Sequence, residues 1–353
     1  MKSTDNSSEI KWKDVWILAE QKGEKLQQVS YELLGRARSL ADSRNSRLCA
    51  VVIGNNVHHD DLQELIERGA DVIYLVNDPR LANFLVEPYA KILRFLVESY
   101  HPEILIAAAT TTGRTVMPYV SAQMRAGLTA DCTGLEIEPE SGLLLQTRPA
   151  IGGNIMATIK TPSARPQMAT VRPKSTRVPE RQPDRSGEIK HIDLPDSFFN
   201  SRVVFEQYVP DAAGESSIEE ADIVIAGGAG VKTAEGFTLV NQLAATLKGA
   251  VGASRPCVDH GWQPYAHQVG LSGKTISPKL YVACGISGAI QHIAGIQTAE
   301  SIIAINSDPN APIFQLADLM IVGNLFDLLP AVIEKLTEIK SKKKRTIFTN
   351  ESK

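Results

Sequence analysis

The feature that most constrains this chain is the alternation of short apolar runs with helical stretches over its first 125 residues. Four apolar runs are each followed by a stretch of helical periodicity: VWILAE by 26–41, RLCAVVIG by 60–68, DVIYLV by 81–100 and EILIAAAT by 113–125. Strands that are apolar throughout, each followed by a helix, are typical of a parallel sheet covered on both faces. The pattern therefore predicts an N-terminal parallel-sheet α/β domain.

After Gly127 the apolar runs become shorter and are interrupted by glycine and proline. The stretch GLEIEPESGLLLQTRPAIGGNIMATIKT predicts antiparallel strands that extend the same domain, and RPQMATVRP predicts one more. Residues 172–200 are polar and rich in proline and charge, which indicates a linker. We therefore predict an N-terminal domain of residues 1–200 that ends in this linker.

A second alternating block predicts a C-terminal doubly wound α/β domain at residues 201–345. Its predicted strands are ADIVIAGG, GAVGASR, KLYVACG, SIIAIN and DLMIVG. Crossover helices are predicted between the strands, among them 233–247 and SGAIQHIAGI, and a closing helix is predicted at 325–339. The end of the chain, KSKKKRTIFTNESK, begins with a run of positive charge and is predicted to form a solvated tail, which includes residues 346–353.

Composition argues against several classes of protein. The formal net charge is −3, whereas nucleic-acid-binding domains are usually basic. No apolar run approaches the roughly 20 residues that cross a bilayer, and the N-terminus lacks the apolar core of a signal peptide. We therefore expect a cytoplasmic chain that is not membrane-embedded. The 4 cysteines show no paired spacing, which argues against a zinc site or an iron–sulfur cluster.

Glycine and hydroxyl residues follow the predicted strands of the C-terminal domain, where open α/β sheets bind their ligands. The stretches concerned are GGAGVK, SRP, HQVGLSGKT, GISGAIQH, NSDPNAP and GNLFD. Such loops suit a phosphate, because backbone N–H groups can approach it where no Cβ intervenes. In GISGAIQH, Ser287 is predicted to cap a helix that carries His292. So many loops of this kind in one domain predict a cofactor that contains a nucleotide.

Several of these stretches resemble the α subunit of electron-transfer flavoproteins, and the resemblance covers residues 14–340. The stretches are VGASRP, QVGLSGKTISPKLYVACGISGAIQHIAGIQ, IIAINSDPNAPIFQLADLMIVGNLFDLLPAVIEKL and, in the N-terminal part, GLTADCTGLEI and RPAIGGNIMATI. The resemblance implies a heterodimer with a β subunit and one FAD in the C-terminal domain of this chain. It also implies that the N-terminal domain packs against β and has no nucleotide site, and that β holds a second FAD or an AMP.

The resemblance implies roles for two groups of residues near the flavin ring. Ser254 and Arg255 would lie beside the flavin, with Arg255 over the ring. The loop along the isoalloxazine would be formed by Gln268, Val269, Gly270, Leu271 and Ser272. In this loop the Ser272 hydroxyl would hydrogen-bond flavin N5.

The resemblance also assigns residues to the rest of the cofactor. The pyrophosphate and part of the flavin would be wrapped by Ser287, Gly288, Ala289, Ile290, Gln291 and His292. Within this group, a cationic or hydrogen-bonding His292 would bond the pyrimidine carbonyl and favour the anionic reduced forms of the flavin. Asn306 and the pair Asn324–Leu325 would reach the ribose and adenine.

At three positions the chain departs from the pattern common in the family. Ala229 stands where many members have arginine, Leu271 where many have glutamine, and Asn324 where many have aspartate. The alanine is expected to remove or replace one contact to a phosphate or to the other subunit. None of the three changes removes the cofactor, but each is expected to shift the potential of the flavin or the mobility of the domain.

Different functions remain open from the sequence. One is an electron carrier that accepts electrons from a flavoprotein dehydrogenase, such as an acyl-CoA dehydrogenase, and passes them to a membrane quinone reductase. A second is the same chain within an NADH-oxidising bifurcating complex that reduces ferredoxin. A third is an NAD-dependent enzyme with His260, His267 or His292 as its acid or base, and a fourth is a scaffold without cofactor.

Overall fold

The computed structural model describes residues 11–150, 155–207, 218–219 and 221–350. The chain divides into two compact units. The described residues up to Gln207 form the first unit, and the described residues from 218 onward form the second.

The first unit is an α/β domain. Its strands and helices are β1 (Val15–Ala19), β2 (Gln21–Lys22), β3 (Lys25–Leu26), α1 (Gln28–Ser43), β4 (Leu48–Gly54), α2 (His59–Glu67), β5 (Val72–Asn77), α3 (Val86–Tyr100), β6 (Ile104–Ala108), α4 (Thr111–Met124), β7 (Leu128–Cys132), β8 (Gly134–Ile137), β9 (Leu144–Pro149), β10 (Met156–Ile159), β11 (Gln167–Val171) and β12 (Glu188–His191). The predicted helix at 81–100 begins later, because a short 3₁₀ turn, Pro79–Leu81, precedes α3.

Seven of these strands form one parallel sheet in the order β12-β5-β4-β1-β6-β11-β7. Strands β1, β4 and β6 are buried along their whole length. Helices α1 and α2 pack on one face of the sheet, and α3 and α4 pack on the other. The prediction of a parallel sheet covered on both faces is therefore confirmed.

The antiparallel extension is confirmed in part. Strands β8, β9 and β10 form a three-stranded antiparallel sheet. The prediction for RPQMATVRP was wrong, because β11 runs parallel between β6 and β7 in the main sheet. All five residues of β11 are buried, which is typical of an inner parallel strand.

The segment 172–200, which we predicted as a linker, belongs to the first unit. It contains β12, which pairs with β5 at the edge of the main sheet. Its charged side chains form ion pairs with that unit: Arg181 binds Glu67 at 2.7 Å, and Arg185 binds Asp71. The polar composition of the segment therefore reflects ion pairs and an edge strand.

A buried carboxylate, which no sequence motif indicated, lies at the end of β1. Glu20 is 8% exposed, and it accepts a hydrogen bond of 2.6 Å from the Thr110 hydroxyl at the start of α4. Burial raises the pKa of Glu20 to about 7, against a smaller lowering effect of the Thr110 hydrogen bond. The order of the sheet reverses at β1, between β4 and β6, where open sheets usually bind ligands.

The second unit is a smaller parallel α/β domain. Its strands and helices are β13 (Ile223–Gly227), α5 (Phe237–Leu247), β14 (Ala250–Ala253), α6 (Arg255–Asp259), β15 (Leu280–Cys284), α7 (Ile290–Ile293), β16 (Ile302–Asn306), β17 (Leu319–Val322) and α8 (Leu325–Asn350). The five predicted strands are all present and parallel, and their order in the sheet is β14-β13-β15-β16-β17.

The helices of this unit differ from the prediction. Helices α5 and α8 pack on one face of the sheet, while loop residues such as Val269, Ile286 and Ile313 cover the other. The connections after β14, β15 and β16 contain only short helical turns. Of the predicted tail at 346–353, residues 346–350 belong to α8, and residues 351–353 lie outside the described part of the chain. None of the helices in the described part of the chain is long and apolar enough to cross a membrane.

Candidate functional site

The residues predicted from the sequence to bind a cofactor follow the strands of the second unit at their carboxyl ends. Backbone hydrogen bonds join the loops that carry them. Val269 N–H donates to the Ala253 carbonyl at 2.9 Å, and Leu271 N–H donates to the Gln291 carbonyl at 2.7 Å. The structure thus brings 254–255, 268–272 and 287–292 to one edge of the sheet.

Glycines allow the loops after β13 and β15 to pack directly on each other. A Cβ on Gly230 would lie 2.7 Å from the Gly285 Cα, and Gly285 itself has φ +65°. Gly230 N–H donates to the Gly285 carbonyl at 2.9 Å. The close packing of these two loops therefore requires glycine at both positions. It fixes where residues 286–292 begin.

The backbone that follows presents a row of free donors. Ser287 and Ala289 are exposed, and Gly288 between them has φ +90°. Within the described part of the chain, the N–H groups of these three residues donate to no acceptor. Consecutive free N–H groups in a turn are suited to binding an anion such as a phosphate.

The prediction that Ser287 caps a long helix was wrong. Helix α7 has only 4 residues, its N-cap is Ala289, and no side chain caps it. The positive φ of Gly288 takes the chain out of helical geometry, and the Ser287 carbonyl instead accepts a hydrogen bond of 3.0 Å from Ile313 N–H. The Ser287 side chain is thus left at the surface.

His292 lies in α7 and is only 6% exposed. Its Nε2 is 2.8 Å from the hydroxyl of Tyr281, which is fully buried in β15. Its Nδ1 makes no hydrogen bond of normal geometry to any described residue. The backbone of Val269 lies close enough to the ring to raise its pKa. Desolvation is the larger effect and lowers the pKa of His292 to about 4. Burial therefore favours the neutral imidazole at pH 7, and with it the hydrogen-bonding role over the cationic one.

The hydroxyl of Ser272 is oriented by a buried amide. Gln268 is 4% exposed, and its Nε2 donates to Ser272 Oγ at 3.1 Å. The loop is also held by Tyr265, whose hydroxyl donates to the Ser272 carbonyl at 2.8 Å. Because Ser272 Oγ accepts from Gln268, its own proton remains to be donated outward.

Ser254 and Arg255 begin α6 just beyond β14. The hydroxyl of Ser254 lies 3.4 Å from Cys257 Sγ, and both side chains are buried. The Arg255 side chain is 68% exposed and forms an ion pair of 3.4 Å with Asp259. An exposed pair of this kind contributes about 0–1 kcal/mol, so Arg255 can turn to a ligand at little cost.

Asn306, Asn324 and Leu325 all have structural contacts. Asn306 Nδ2 donates to the Ile286 carbonyl at 2.9 Å and braces the loop after β15. Asn324 Oδ1 accepts from Phe326 N–H at the start of α8, and Leu325 is buried. These contacts do not include a ligand, so the predicted contact with ribose and adenine stays a prediction.

The other two histidines considered from the sequence have partners that give no acid–base dyad. His267 Nδ1 lies 2.7 Å from the Val251 carbonyl, and His260 stacks on Trp262 at a ring distance of 5.2 Å. Among the residues that the structure describes, no group of histidine, cysteine and carboxylate side chains could hold a metal ion. The residue that sequence analysis missed is Tyr281, which had been read only as part of a strand.

Two family models match the chain. The model described as "Electron transfer flavoprotein domain" matches residues 15–197, and "Electron transfer flavoprotein FAD-binding domain" matches residues 217–297. The second match contains the loops that surround the candidate site, from Ser254 to His292.

Curated proteins of similar sequence span nearly the whole chain. An electron transfer flavoprotein subunit alpha from Thermoanaerobacterium thermosaccharolyticum is 47% identical over 93% of this chain and 99% of that protein. The protein of the same name from Megasphaera elsdenii is 42% identical over 93% of this chain and 98% of that protein. Subunit LctC of the lactate dehydrogenase (NAD(+),ferredoxin) of Acetobacterium woodii is 40% identical over 86% of this chain and 72% of that protein.

Proposed function

Since the chain belongs to the α-subunit family of electron transfer flavoproteins, we propose that it binds one FAD at the carboxyl edge of its five-stranded sheet and transfers electrons as a heterodimer with a β subunit. The observation that carries the proposal is the match of the FAD-binding domain to residues 217–297. FAD, when bound, supplies the redox chemistry, while the protein supplies binding, orientation and electrostatics.

The residues at this edge fit FAD in three respects. The free N–H groups of residues 287–289 suit the pyrophosphate. The outward proton of Ser272 suits an acceptor such as flavin N5. The buried Nδ1 of His292, which has no hydrogen-bond partner in the described structure, suits the carbonyl of the pyrimidine ring. The first two are donors, Nδ1 is a donor when it carries the ring proton, and FAD offers an acceptor for each.

The neutral His292 determines how this chain acts on the flavin. A buried cation would favour negative charge on the ring by Coulomb attraction, whereas a neutral imidazole favours it only through a donated hydrogen bond. Because burial keeps the pKa of His292 near 4, the second case applies throughout the physiological pH range. Arg255, which is exposed, is then the residue that supplies positive charge near the ring.

Two versions of the function are consistent with the relatives. In the first version, the chain accepts electrons from a flavoprotein dehydrogenase, such as an acyl-CoA dehydrogenase, and passes them to a membrane quinone reductase. One relative belongs to a lactate dehydrogenase whose name includes NAD(+) and ferredoxin, which favours an NADH-linked bifurcating complex. The β subunit decides between them, since it would hold either a second FAD or an AMP.

The experiment that tests the proposal is a flavin count on the chain co-expressed with its β subunit. We expect a yellow heterodimer that contains FAD. One FAD that NADH does not bleach identifies a simple carrier, and two FADs that NADH bleaches identify a bifurcating complex. A colourless heterodimer that gains no visible spectrum with added FAD would refute flavin binding.

The Gln268–Ser272 contact gives a narrower prediction. Gln268→Met keeps the length of the side chain but removes the donor that orients the Ser272 hydroxyl. We expect the dissociation constant of FAD to rise several-fold and up to about tenfold, the usual worth of one hydrogen bond. Fluorescence titration of the flavin-free heterodimer measures it.

The matched control is Gln242→Met, on the exposed surface of α5. This change should leave FAD affinity unaltered. If Gln268→Met binds FAD as tightly as this control, Gln268 does not act on the flavin through Ser272.

A further inference from the structure

Tyr281 and His292 form a polar pair inside the second unit. Tyr281 lies in the middle of the sheet in β15, and its ring is fully buried. Its hydroxyl reaches Nε2 of His292 at 2.8 Å, and no other hydrogen bond of that hydroxyl occurs in the described part of the chain. A buried polar pair of this kind has a definite proton arrangement, because each unmatched donor is costly.

Burial determines how many protons each of the two groups holds at neutral pH. Burial raises the pKa of Tyr281 well above its ordinary value, so the hydroxyl stays protonated. Burial lowers the pKa of His292, so the imidazole carries one proton, on either Nδ1 or Nε2. The pair therefore contains two protons, and only two arrangements of them are available.

The two arrangements differ in the groups that they leave unsatisfied. If Nε2–H donates to Tyr281, the phenol proton has no acceptor and Nδ1 is left as an acceptor without a donor. If the phenol donates to Nε2, the phenol proton is used and one group remains, the N–H of Nδ1. The second arrangement leaves a single donor, Nδ1–H, which lies near the Val269 backbone without a hydrogen bond of normal geometry and which an acceptor on a ligand would satisfy.

We propose that Tyr281 is a positioning residue that fixes the tautomer of His292, so that the imidazole presents Nδ1–H as a hydrogen-bond donor to the cofactor. Because this inference identifies the acceptor as the pyrimidine carbonyl of FAD, it rests on the proposed function. The hydroxyl of Tyr281 acts only through His292.

The role of Tyr281 follows from what an imidazole can do when it is not held. A free neutral ring exchanges between its two tautomers, and one of them presents a lone pair to the carbonyl, which repels it. The hydrogen bond from Tyr281 disfavours that tautomer. The contribution of one hydrogen bond corresponds to a change of up to about tenfold in the ratio of the two tautomers.

The tautomer itself can be measured by ¹⁵N NMR of histidine-labelled chain in its heterodimer, with the His292 signals assigned from their loss in His292→Leu. In the wild type we expect Nδ1 to carry the proton and Nε2 to be unprotonated. In Tyr281→Phe, which removes only the hydroxyl, the ratio should fall by up to about tenfold. A wild-type ring that is protonated on Nε2 would overturn the proposal.

The reduction potential of bound flavin provides a second test. Tyr281→Phe should shift the potential in the same direction as His292→Leu and by less. In the double variant it should add no further shift, since the two residues act as one unit. Equal shifts from Tyr281→Phe with and without His292 would show that the hydroxyl acts by another route.

Tyr89→Phe is the matched control, because it removes a buried hydroxyl that donates to the Leu81 carbonyl in the first unit. It should change neither the potential nor the His292 signals. If the wild-type heterodimer binds no FAD, the proposed function fails. The NMR measurement on the flavin-free protein then still decides whether Tyr281 fixes the tautomer.

Discussion

Replacement of Gly288 by alanine is expected to abolish FAD binding and to lower the free energy of unfolding of the second unit by about 3–5 kcal/mol. Gly288 has φ +90°, and a Cβ there would lie 2.2 Å from the Ile313 nitrogen. Ile313 is fully buried, and its N–H donates to the Ser287 carbonyl. An alanine therefore breaks this bond and displaces the free N–H groups of residues 287–289.

The effect can be measured by flavin absorbance after purification and by urea unfolding of the heterodimer. Gly261→Ala is the matched control in the same unit. Gly261 has φ +72°, but a Cβ there would meet nothing within 4 Å. The control should lose only the roughly 1–2 kcal/mol of an unfavourable backbone conformation and keep its FAD. If Gly288→Ala behaves like Gly261→Ala, close contact with Ile313 does not position these N–H groups.

Buried parallel strands were the most predictable part of the fold. VWILA and ILIAA are apolar at every position, and such runs have few alternatives to an inner strand between helical layers. β12 was not predictable in this way. Its sequence, EIKH, contains one apolar residue, and its place in the sheet depends on pairing with β5. Edge pairing of this kind leaves almost no local signal.

Helical turns in the second unit were overpredicted for a related reason. The run SGAIQHIAGI has helical periodicity, but only Ile290–Ile293 are helical. The close contact between Gly288 and Ile313, more than twenty residues later, prevents the start of this run from adopting its preferred helical conformation. Tertiary contacts commonly override propensity in stretches this short.

Within the candidate site, sequence analysis could name residues but not their partners. His292 was identified from its motif and Ser272 from the family resemblance, whereas the hydrogen bonds that orient them come from Tyr281 and Gln268. Tyr281 lies in a strand and His292 lies in the turn that follows, so the contact depends on how the chain reverses at Gly285 and Gly288. The electrostatic state of His292 also depends on burial, which the motif does not contain.

Glu20 gives the second large prediction, which concerns stability and pH. Desolvation raises its pKa from 4.5 to about 7 in the folded chain. A carboxyl group whose pKa is higher when folded destabilises the folded state as pH rises, because the unfolded chain ionises first. We therefore expect Glu20→Gln to be more stable than wild type, by about 1 kcal/mol at pH 5.5 and about 3 kcal/mol at pH 8.5. The glutamine Oε1 can still accept the hydrogen bond from Thr110.

Urea unfolding monitored by tryptophan fluorescence measures this in a Trp262→Phe background, in which the remaining tryptophans, Trp12 and Trp16, both lie in the first unit. Glu87→Gln is a control with the opposite expected sign, because the pKa of Glu87 is lowered in the folded chain. Hydrogen bonds from the backbone and the side chain of Arg202 lower the pKa of Glu87 to about 2. Loss of the Glu87 charge should therefore destabilise the chain, and by the same amount at every pH from 5.5 to 8.5, because its pKa values in the folded and in the unfolded chain both lie below that range.

A stability difference for Glu20→Gln that does not change with pH would mean that Glu20 ionises in the folded chain at its ordinary pKa. A difference that grows with pH would show that the first unit keeps an unfavourable carboxylate at the reversal point of its sheet, where other open sheets accept a phosphate.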